Sequence, residues 1–408
     1  MKYGLIGERL SHSFSKPIHE SIADYIYEIK EIPRDGLDSF MRERAFNGIN
    51  VTIPYKQSVI PYLDFTDEIA VKIGAVNTVV NRDGKLYGYN TDFGGMKMLI
   101  EKQGFSYVGK KVVILGSGGT AKTARAVAES LGAKEIITVS RKGEVNYENL
   151  LFLHGDCDYI INTTPCGMYP DTDKSAVDVS LFKSLKGVTD VVYNPLKTKL
   201  CLDCEKQGIK CACGLYMLVA QAVLASEIFS GKAFDVKKTA DELYGRILNE
   251  KRNIVLIGMP GSGKTTIGRA LAESLGKTFV DTDDLITGEY GDISEIFAQK
   301  GEEFFRDIEA VAVKKVSLQN GLVIATGGGA VLRRENVDYL KHNGVLFFLD
   351  RPLGDILPTE DRPLSRDCEA LKKRYEERYG IYLSSCDEKI DIDGRVENAV
   401  SRITEMLK

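Results

Sequence analysis

Three sets of residues in this 408-residue chain have the types and spacing to do chemistry. The sharpest is Gly258-Met259-Pro260-Gly261-Ser262-Gly263-Lys264-Thr265, a complete G-x-x-x-x-G-K-[ST] run. Such a loop turns its backbone N–H groups around phosphates, with Lys264 placed to neutralise β/γ charge and the Thr265 hydroxyl placed to ligate Mg²⁺. That chemistry is phosphoryl transfer. No Asn-Lys-x-Asp run follows, so guanine is not read and the acceptor stays open. Farther on, Val280-Asp281-Thr282-Asp283-Asp284 puts carboxylates on one side of a turn. One can serve the metal through water and another can take a proton from an attacking hydroxyl. Glu303-Phe304-Phe305-Arg306 with Glu309, Thr326-Gly327-Gly328-Gly329, Arg362-Pro363-Leu364 and Arg378 complete the set. Three arginines suit a carboxylated acceptor, because a guanidinium pairs a carboxylate through two parallel bonds.

The second set is Gly116-x-Gly118-x-x-Ala121, which follows the strand-like run Lys111–Leu115 and opens an Ala-rich helix. Glycines there let the backbone turn and approach a pyrophosphate seated on the helix N-terminus. The next strand, Glu135–Val139, ends in Ser140-Arg141-Lys142, where an NAD site would place a carboxylate. Cations at that position suit a 2′-phosphate, so NADP is expected over NAD. The third set is dispersed over Ser11-His12-Ser13-Phe14-Ser15-Lys16-Pro17, Asn50-Val51-Thr52-Ile53-Pro54-Tyr55-Lys56, Gly74-Ala75-Val76-Asn77-Thr78 and Gly88-Tyr89-Asn90-Thr91-Asp92. Their hydroxyls and amides suit a polyhydroxylated ligand. Lys56 and Asp92 stand among them as an acid and its positioning carboxylate for a carbonyl that receives hydride.

Two strand–glycine loop–helix units must hold these groups, one at Lys111–Leu131 and one at Asn253–Leu275. Ahead of them Tyr3–Gly7, Tyr27–Ile32, Ile49–Ile53 and Ala75–Asn81 read as strands, with helices from Pro17 and Leu37. Asn81-Arg82-Asp83-Gly84 signals a hairpin into Leu86–Tyr89. The expected fold is α/β throughout. It has an N-terminal α/β substrate lobe (1–105, joined by helices from 214–248), a Rossmann-type NADP lobe (106–213) and a P-loop domain with a parallel sheet (253–408). The helical, charged Asp235–Lys251 marks the boundary.

Composition narrows the classes. A net charge of −4 with 27% charged residues gives no footprint for nucleic acid or an anionic membrane. The longest apolar stretch, near Leu215–Phe229, is broken by Gln221, Ser226 and Glu227 and reads as a buried helix. A zinc site needs paired hooks converging on one tetrahedron. Cys201 and Cys204 on a helix, with Cys211 and Cys213 along a short strand, read instead as small buried residues of a reducing cytosol.

Taken together and in order, the runs of the first half resemble the shikimate dehydrogenase family over residues 1–248. That resemblance implies that Ser13 and Ser15 bind the substrate carboxylate and that Asn50, Thr52, Asn77, Asp92 and Gln221 hold hydroxyls. It makes Lys56 and Asp92 the catalytic pair. Gly116, Gly118, Gly119, Ala121, Ser140, Arg141 and Lys142 would bind NADP, with Met217 near the nicotinamide. Asn162–Met168 looks like the family's loop after the fourth strand of the cofactor lobe. The Ser13-x-Ser15 pair favours shikimate over quinate, since quinate-acting relatives tend to carry a threonine there. The second half resembles shikimate kinase over about residues 253–408. By that likeness Asp283, Arg306, Gly328, Gly329 and Arg378 bind shikimate, and Asp283 positions or deprotonates its hydroxyl. Gly258, Gly261, Ser262, Gly263, Lys264, Thr265 and Thr266 hold ATP, Thr265 and Asp281 serve Mg²⁺, and Arg362 closes over the phosphates. The chain departs from the kinase pattern at Leu353–Pro358, which is short and lacks the arginine commonly set against adenine. The joint implication is a cytoplasmic enzyme that reduces 3-dehydroshikimate and phosphorylates shikimate, with small molecules as its partners. The alternative is a quinate/shikimate dehydrogenase carrying a degenerate or ligand-sensing kinase half.

Overall fold

Strands of two to seven residues, most of them apolar and spaced by helices, assemble into three sheets. The computed structural model describes residues 1–10, 14–356 and 368–407. The chain divides into two units, Met1–Ile247 with two of the sheets and Leu248–Lys408 with the third. No helix among the described residues is long and apolar enough to cross a membrane.

The first sheet is built from β1 (Tyr3–Gly7), β2 (Tyr27–Glu31), β3 (Gly48–Val51), β4 (Phe65–Thr66), β5 (Thr78–Arg82) and β6 (Lys85–Tyr89), in the order β2-β1-β3-β5-β6-β4. Helices α1 (Ser15–Ile22), α2 (Leu37–Glu43), α3 (Glu68–Ile73) and α4 (Thr91–Lys102) alternate with these strands. Only β5 runs against its neighbours β3 and β6. Its hairpin to β6 turns on Asp83 and Gly84, both at positive φ, as a two-residue Asp-Gly turn demands. The strand expected from Ala75 starts at Thr78 instead. The Val76 N–H donates to the Lys56 carbonyl and the Asn77 N–H to that of Tyr89, so 75–77 bridges from a loop into the sheet. One sheet face packs Ile6, Ile49, Val79 and Leu86 against Leu37, Phe40 and Met41 of α2. On the other, Leu5 and Tyr27 meet Ala225 and Phe229.

The second sheet is wholly parallel. It holds β7 (Lys111–Leu115), β8 (Glu135–Val139), β9 (Tyr159–Asn162), β10 (Gly187–Asp190) and β11 (Lys210–Cys213), ordered β11-β10-β9-β7-β8. Its helices are α5 (Gly119–Ser130), α6 (Leu150–His154) and α7 (Lys199–Lys206). The Asn162–Met168 loop therefore follows the third strand of this lobe, not the fourth, because only turns and the short α6 lie between β8 and β9. The cysteines occupy the expected helix and strand, yet three converge: Cys201, Cys211 and Cys213 bring their sulfur atoms within 4.8 Å of one another. After β11 the chain returns to the first sheet as α8 (Leu215–Ser230) and α9 (Val236–Lys251). Helix α8 is buried on nearly all sides and packs against α4. A β-carbon on Gly95 of α4 would lie 2.8 Å from the Met217 carbonyl, so only glycine permits this approach.

The third sheet contains β12 (Asn253–Ile257), β13 (Thr278–Asp281), β14 (Leu322–Ala325), β15 (Gly344–Asp350) and β16 (Glu388–Asp391), all parallel, ordered β13-β14-β12-β15-β16. It is flanked by α10 (Lys264–Leu275), α11 (Thr282–Tyr290), α12 (Ile293–Ser317), α13 (Arg334–Asn343), α14 (Cys368–Ser385) and α15 (Val396–Met406). Both faces are buried, which is why β12 reads as an unbroken apolar run. Val255 and Ile257 pack with Val313, Leu340 and Leu371, while Ile254 and Leu256 pack with Ile267, Leu271 and Ile403. Helix α12 breaks at Gly301, whose φ of 81° no helix accommodates.

Gly95→Val should destabilise the first unit by about 1–3 kcal/mol through overpacking against α8. Chemical denaturation followed by both activities checks this: hydride transfer should fail at lower denaturant than in the parent, with phosphoryl transfer unmoved.

Candidate active sites

Lys56 lies beyond β3 and Asp92 sits in the first turn of α4. They meet across the lobe, Lys56 Nζ to Asp92 Oδ2 at 2.6 Å, with side chains only 15% and 10% exposed. The backbone of Lys56 is held by the Val76 N–H, and Asn90 caps α4 by accepting from the Phe93 N–H. A pair so shielded keeps its geometry, and removing one partner would strand the other charge.

Beside this pair runs a buried chain of polar groups. Tyr27 donates its hydroxyl to Asn50 Oδ1 at 2.7 Å, and Asn50 Nδ2 donates to Thr78 Oγ1 at 3.0 Å. Asn77 Nδ2 donates to Thr91 Oγ1 at 3.0 Å, and Thr91 Oγ1 in turn reaches Gln221 Oε1 at 3.4 Å. Asn50, Asn77 and Gln221 are thus fixed by Thr78 and Thr91, next to Asp92. Thr52 is half-buried one residue past β3, and Ser15 is buried at the start of α1. Ser13 lies outside the described residues.

The dinucleotide loop adjoins the same pair. Gly116 takes φ +110°, and a β-carbon there would sit 2.7 Å from Thr163 Oγ1. Gly118 caps α5 without a side-chain bond, and a β-carbon on it would meet nothing within 4 Å; a helix N-terminus left open in this way suits a pyrophosphate. A β-carbon on Gly119 would come 3.8 Å from the Lys56 side chain. Ala121 is buried on α5, and Met217 is buried in the first turn of α8. Ser140 is half-buried past β8, with Arg141 and Lys142 exposed behind it.

In the second unit Gly258, Gly261 and Gly263 all take positive φ, bending the loop between β12 and α10. Lys264 is buried and folds back to the Gly258 and Met259 carbonyls at 3.0 and 2.9 Å. The buried Ser262 Oγ has no partner among the described residues, a group suited to a phosphate oxygen. Thr265 donates to Asp281 Oδ2 at 2.8 Å, joining the two residues expected to serve a metal, and Thr266 is exposed beside it. Asp281 also caps α11 by accepting from the Asp283 N–H.

Asp283 Oδ1 and Glu309 Oε1 are both buried, have no partner among the described residues, and face Gly327, whose β-carbon would lie 2.8 and 2.7 Å from them. Burial, then the charges of Asp281 and Glu309, push the Asp283 carboxyl up to about 6. Burial likewise raises Glu309, against the pull of Arg306, which donates to it at 2.6 Å. A β-carbon on Gly329 would strike the Arg306 guanidinium, and Arg378 reaches the Gly328 carbonyl at 3.2 Å. Asp283, Arg306, Gly328, Gly329 and Arg378 therefore share one site. Arg362 lies outside the described residues.

Comparison with known proteins places both halves. Residues 5–79 match the model for the shikimate dehydrogenase substrate binding domain. Shikimate dehydrogenase (NADP(+)) of Clostridium perfringens (strain 13 / Type A) is 39% identical over 262 residues, 59% of this chain and 96% of the relative. The chain belongs to the shikimate dehydrogenase family. Among solved structures, shikimate dehydrogenase 1 from Peptoclostridium difficile superposes with a TM-score of 0.57 at 35% identity, covering 60% of this chain and 98% of that one. A chorismate mutase/shikimate 5-dehydrogenase fusion protein from Clostridium acetobutylicum gives 0.56 at 35%, covering 60% and 96%. Residues 260–408 match the model for shikimate kinase. This member of the dehydrogenase family thus continues into a kinase.

Several groups in these sites had no individual role in the sequence motifs, although Thr91 and Glu309 lie within those runs. Thr91 and Tyr27 fix the dehydrogenase amides, and nothing local in the sequence marks Tyr27. In the kinase, Glu309 and Glu302 grip Arg306, a pairing its i+3 and i−4 spacing could have disclosed. Tyr382 donates to the Gly328 carbonyl, and Arg351 touches the Gly261 carbonyl of the phosphate loop at 3.4 Å.

Because the Asp283 carboxyl titrates near 6 in the fold against 3.8 ordinarily, its charged form costs stability. That cost is absent below the lower value, grows between the two, and is complete once pH passes the upper one. In cation-free buffer Asp283→Asn should therefore unfold at higher denaturant than the parent at about pH 7.5, with the gap closing by about pH 4.

Proposed function

We propose that Lys56 and Asp92 are the catalytic pair of the dehydrogenase and that Asp283, Arg306 and Arg378 form the acceptor site of the kinase. The enzyme reduces 3-dehydroshikimate to shikimate with NADPH and phosphorylates shikimate to shikimate 3-phosphate with ATP, two steps towards the aromatic amino acids. The observation that carries the first half is the short, shielded Lys56–Asp92 contact beside the Gly119 turn. When bound, NADPH supplies hydride, ATP supplies the phosphoryl group, and Mg²⁺ offsets phosphate charge.

The chain's own groups do the rest. Lys56 gives its proton to the carbonyl oxygen that becomes a hydroxyl, and Asp92 keeps the ammonium on target. Asn50, Thr52, Asn77 and Gln221 hold the remaining hydroxyls, the three amides oriented by Thr78 and Thr91, with Ser13 and Ser15 at the carboxylate end. Gly116, Gly118 and Gly119 hold the pyrophosphate, and Arg141 and Lys142 the 2′-phosphate. In the second unit Lys264 and the loop amides hold the triphosphate, and Thr265 and Asp281 hold the metal. Arg306 and Arg378 grip the carboxylate of shikimate, which leaves Asp283 to take the proton of the attacking hydroxyl. Its raised pKa brings it nearer the neutral range where a general base works best. The seven described cysteines carry no disulfide, in keeping with a cytoplasmic location.

One incubation with 3-dehydroshikimate, NADPH and MgATP, followed by mass spectrometry, tests this. Shikimate 3-phosphate should form only with both cofactors present. Accumulated shikimate would point to the degenerate-kinase alternative, and no conversion would sink the enzyme reading. Lys56→Ala should cut reduction by roughly 10²–10⁴-fold, the usual worth of a positioned acid, and spare phosphorylation. Lys264→Ala should do the converse. Stripping a shielded pair of one partner can cost about 3–5 kcal/mol, so a thermal melt of Lys56→Ala must show the unit still folded. Arg141→Ala with Lys142→Ala should raise KM for NADPH roughly tenfold, the worth of one charge-assisted bond, and leave NADH unaffected.

A further inference from the structure

The edge of the second sheet carries a thiol cluster that neither reaction uses. Cys201 stands in the first turn of α7, while Cys211 and Cys213, alternate residues of β11, face it from the strand. Cys201 Sγ lies 2.9 Å from Cys211 Sγ and 3.3 Å from Cys213 Sγ, both inside the roughly 3.5–4.0 Å of ordinary apolar contact. A fourth thiol, Cys204, sits fully buried farther along α7 and interacts with Cys211.

The cluster is anchored rather than incidental. Thr198 caps α7 by accepting from the Cys201 N–H and donates its hydroxyl to Asp190 Oδ2 at 2.6 Å. Asp190, wholly buried at the end of β10, is held by Asn162 Nδ2 at 3.0 Å and the Val192 N–H at 3.1 Å. The first sulfur is thus tied to the ends of β9 and β10, and the other two belong to the neighbouring strand. Such fixed outer groups are what hold metal ligands in orientation.

We propose that Cys201, Cys211 and Cys213 bind a thiophilic divalent cation of the zinc type, pinning α7 to β11. Sulfur-only donors select such a cation over Mg²⁺, and at about 2.3 Å per sulfur they would stand roughly 3.8 Å apart in a tetrahedron, so the pairs at 2.9 and 3.3 Å open on binding. Binding exchanges thiol protons for the cation, and the protons leave to solvent. Without a cation, several thiolates beside the Asp190 carboxylate would be an uncompensated buried charge. Cys211 and Cys213 are half-buried, which leaves an entry side, and the fourth position falls to Cys204 or water. The site sits one residue before Gly214, a β-carbon on which would strike the Val191 carbonyl, and Gly214 opens α8. A filled site therefore stiffens the strand that feeds the Met217 and Gln221 helix.

The full chain, reduced and stripped of metal, should be titrated with Co²⁺ without nucleotide. Expected are sulfur-to-cobalt charge-transfer absorption saturating at about one equivalent, loss of that absorption on adding Zn²⁺, and a raised melting temperature for the first unit. Cys201→Ser and the more accessible Cys211→Ser should each weaken binding by at least roughly 10-fold, the loss seen even for outer-shell changes, while reduction stays within about twofold. Either variant suffices if the other misfolds. No charge-transfer band in the reduced chain would overturn the proposal, as would a band that survives both substitutions. Isolation of a Cys201–Cys211 disulfide, with no cation uptake after reduction, would overturn it in favour of a redox pair.

Discussion

A parallel strand delivers its carboxyl end to the place where the next helix presents unpaired N–H groups, and nearly every chemical group in this chain is stationed at such a junction. The Gly116–Gly119 turn follows β7, the phosphate loop follows β12, and Asp281 follows β13. Thr326–Gly329 follows β14, and Asp190 ends β10. Sheets that put all these ends on one edge leave little choice about where anionic ligands can dock. The first sheet meets the same need differently, since its antiparallel β5 brings Asn77 and the β6–α4 junction together at one strand end.

The two centres handle buried charge in opposite ways. Lys56 and Asp92 satisfy each other, so the pair proposed as acid and support is also a structural tie. Asp283 and Glu309 do not: each has a buried oxygen with no partner among the described residues, and the first is crowded by Asp281 as well. That arrangement gives up stability to keep a carboxylate that welcomes a proton, a common bargain at catalytic sites.

What could be read in the sequence was local. Glycines at fixed spacing report a turn that few other residues can make, so both nucleotide loops and their flanking strands and helices were legible, as was the Asp-Gly hairpin. Lys56 and Asp92 stood out by residue type, but only family likeness joined them as a catalytic pair, because 36 residues separate them. Groups whose meaning depends on a distant partner stayed hidden: Thr91 finds Gln221 across 130 residues, and Tyr27 finds Asn50 across a strand crossing. The cysteines show the same limit. Their helix and strand were legible, but the meeting of the two was a matter of packing.

Met217 and Gln221 stand four residues apart, hence one above the other on α8, and a β-carbon on Gly95 would touch both. The residue proposed to lie beside the nicotinamide and the residue proposed to hold a substrate hydroxyl are thus marks on a single ruler. A designer who wished to recut the pocket for a larger or differently substituted ring could not slide one mark without sliding the other. Changes of substrate in this scaffold should therefore come from the β3 and β5 side, where Thr52 and Asn77 are set on separate supports.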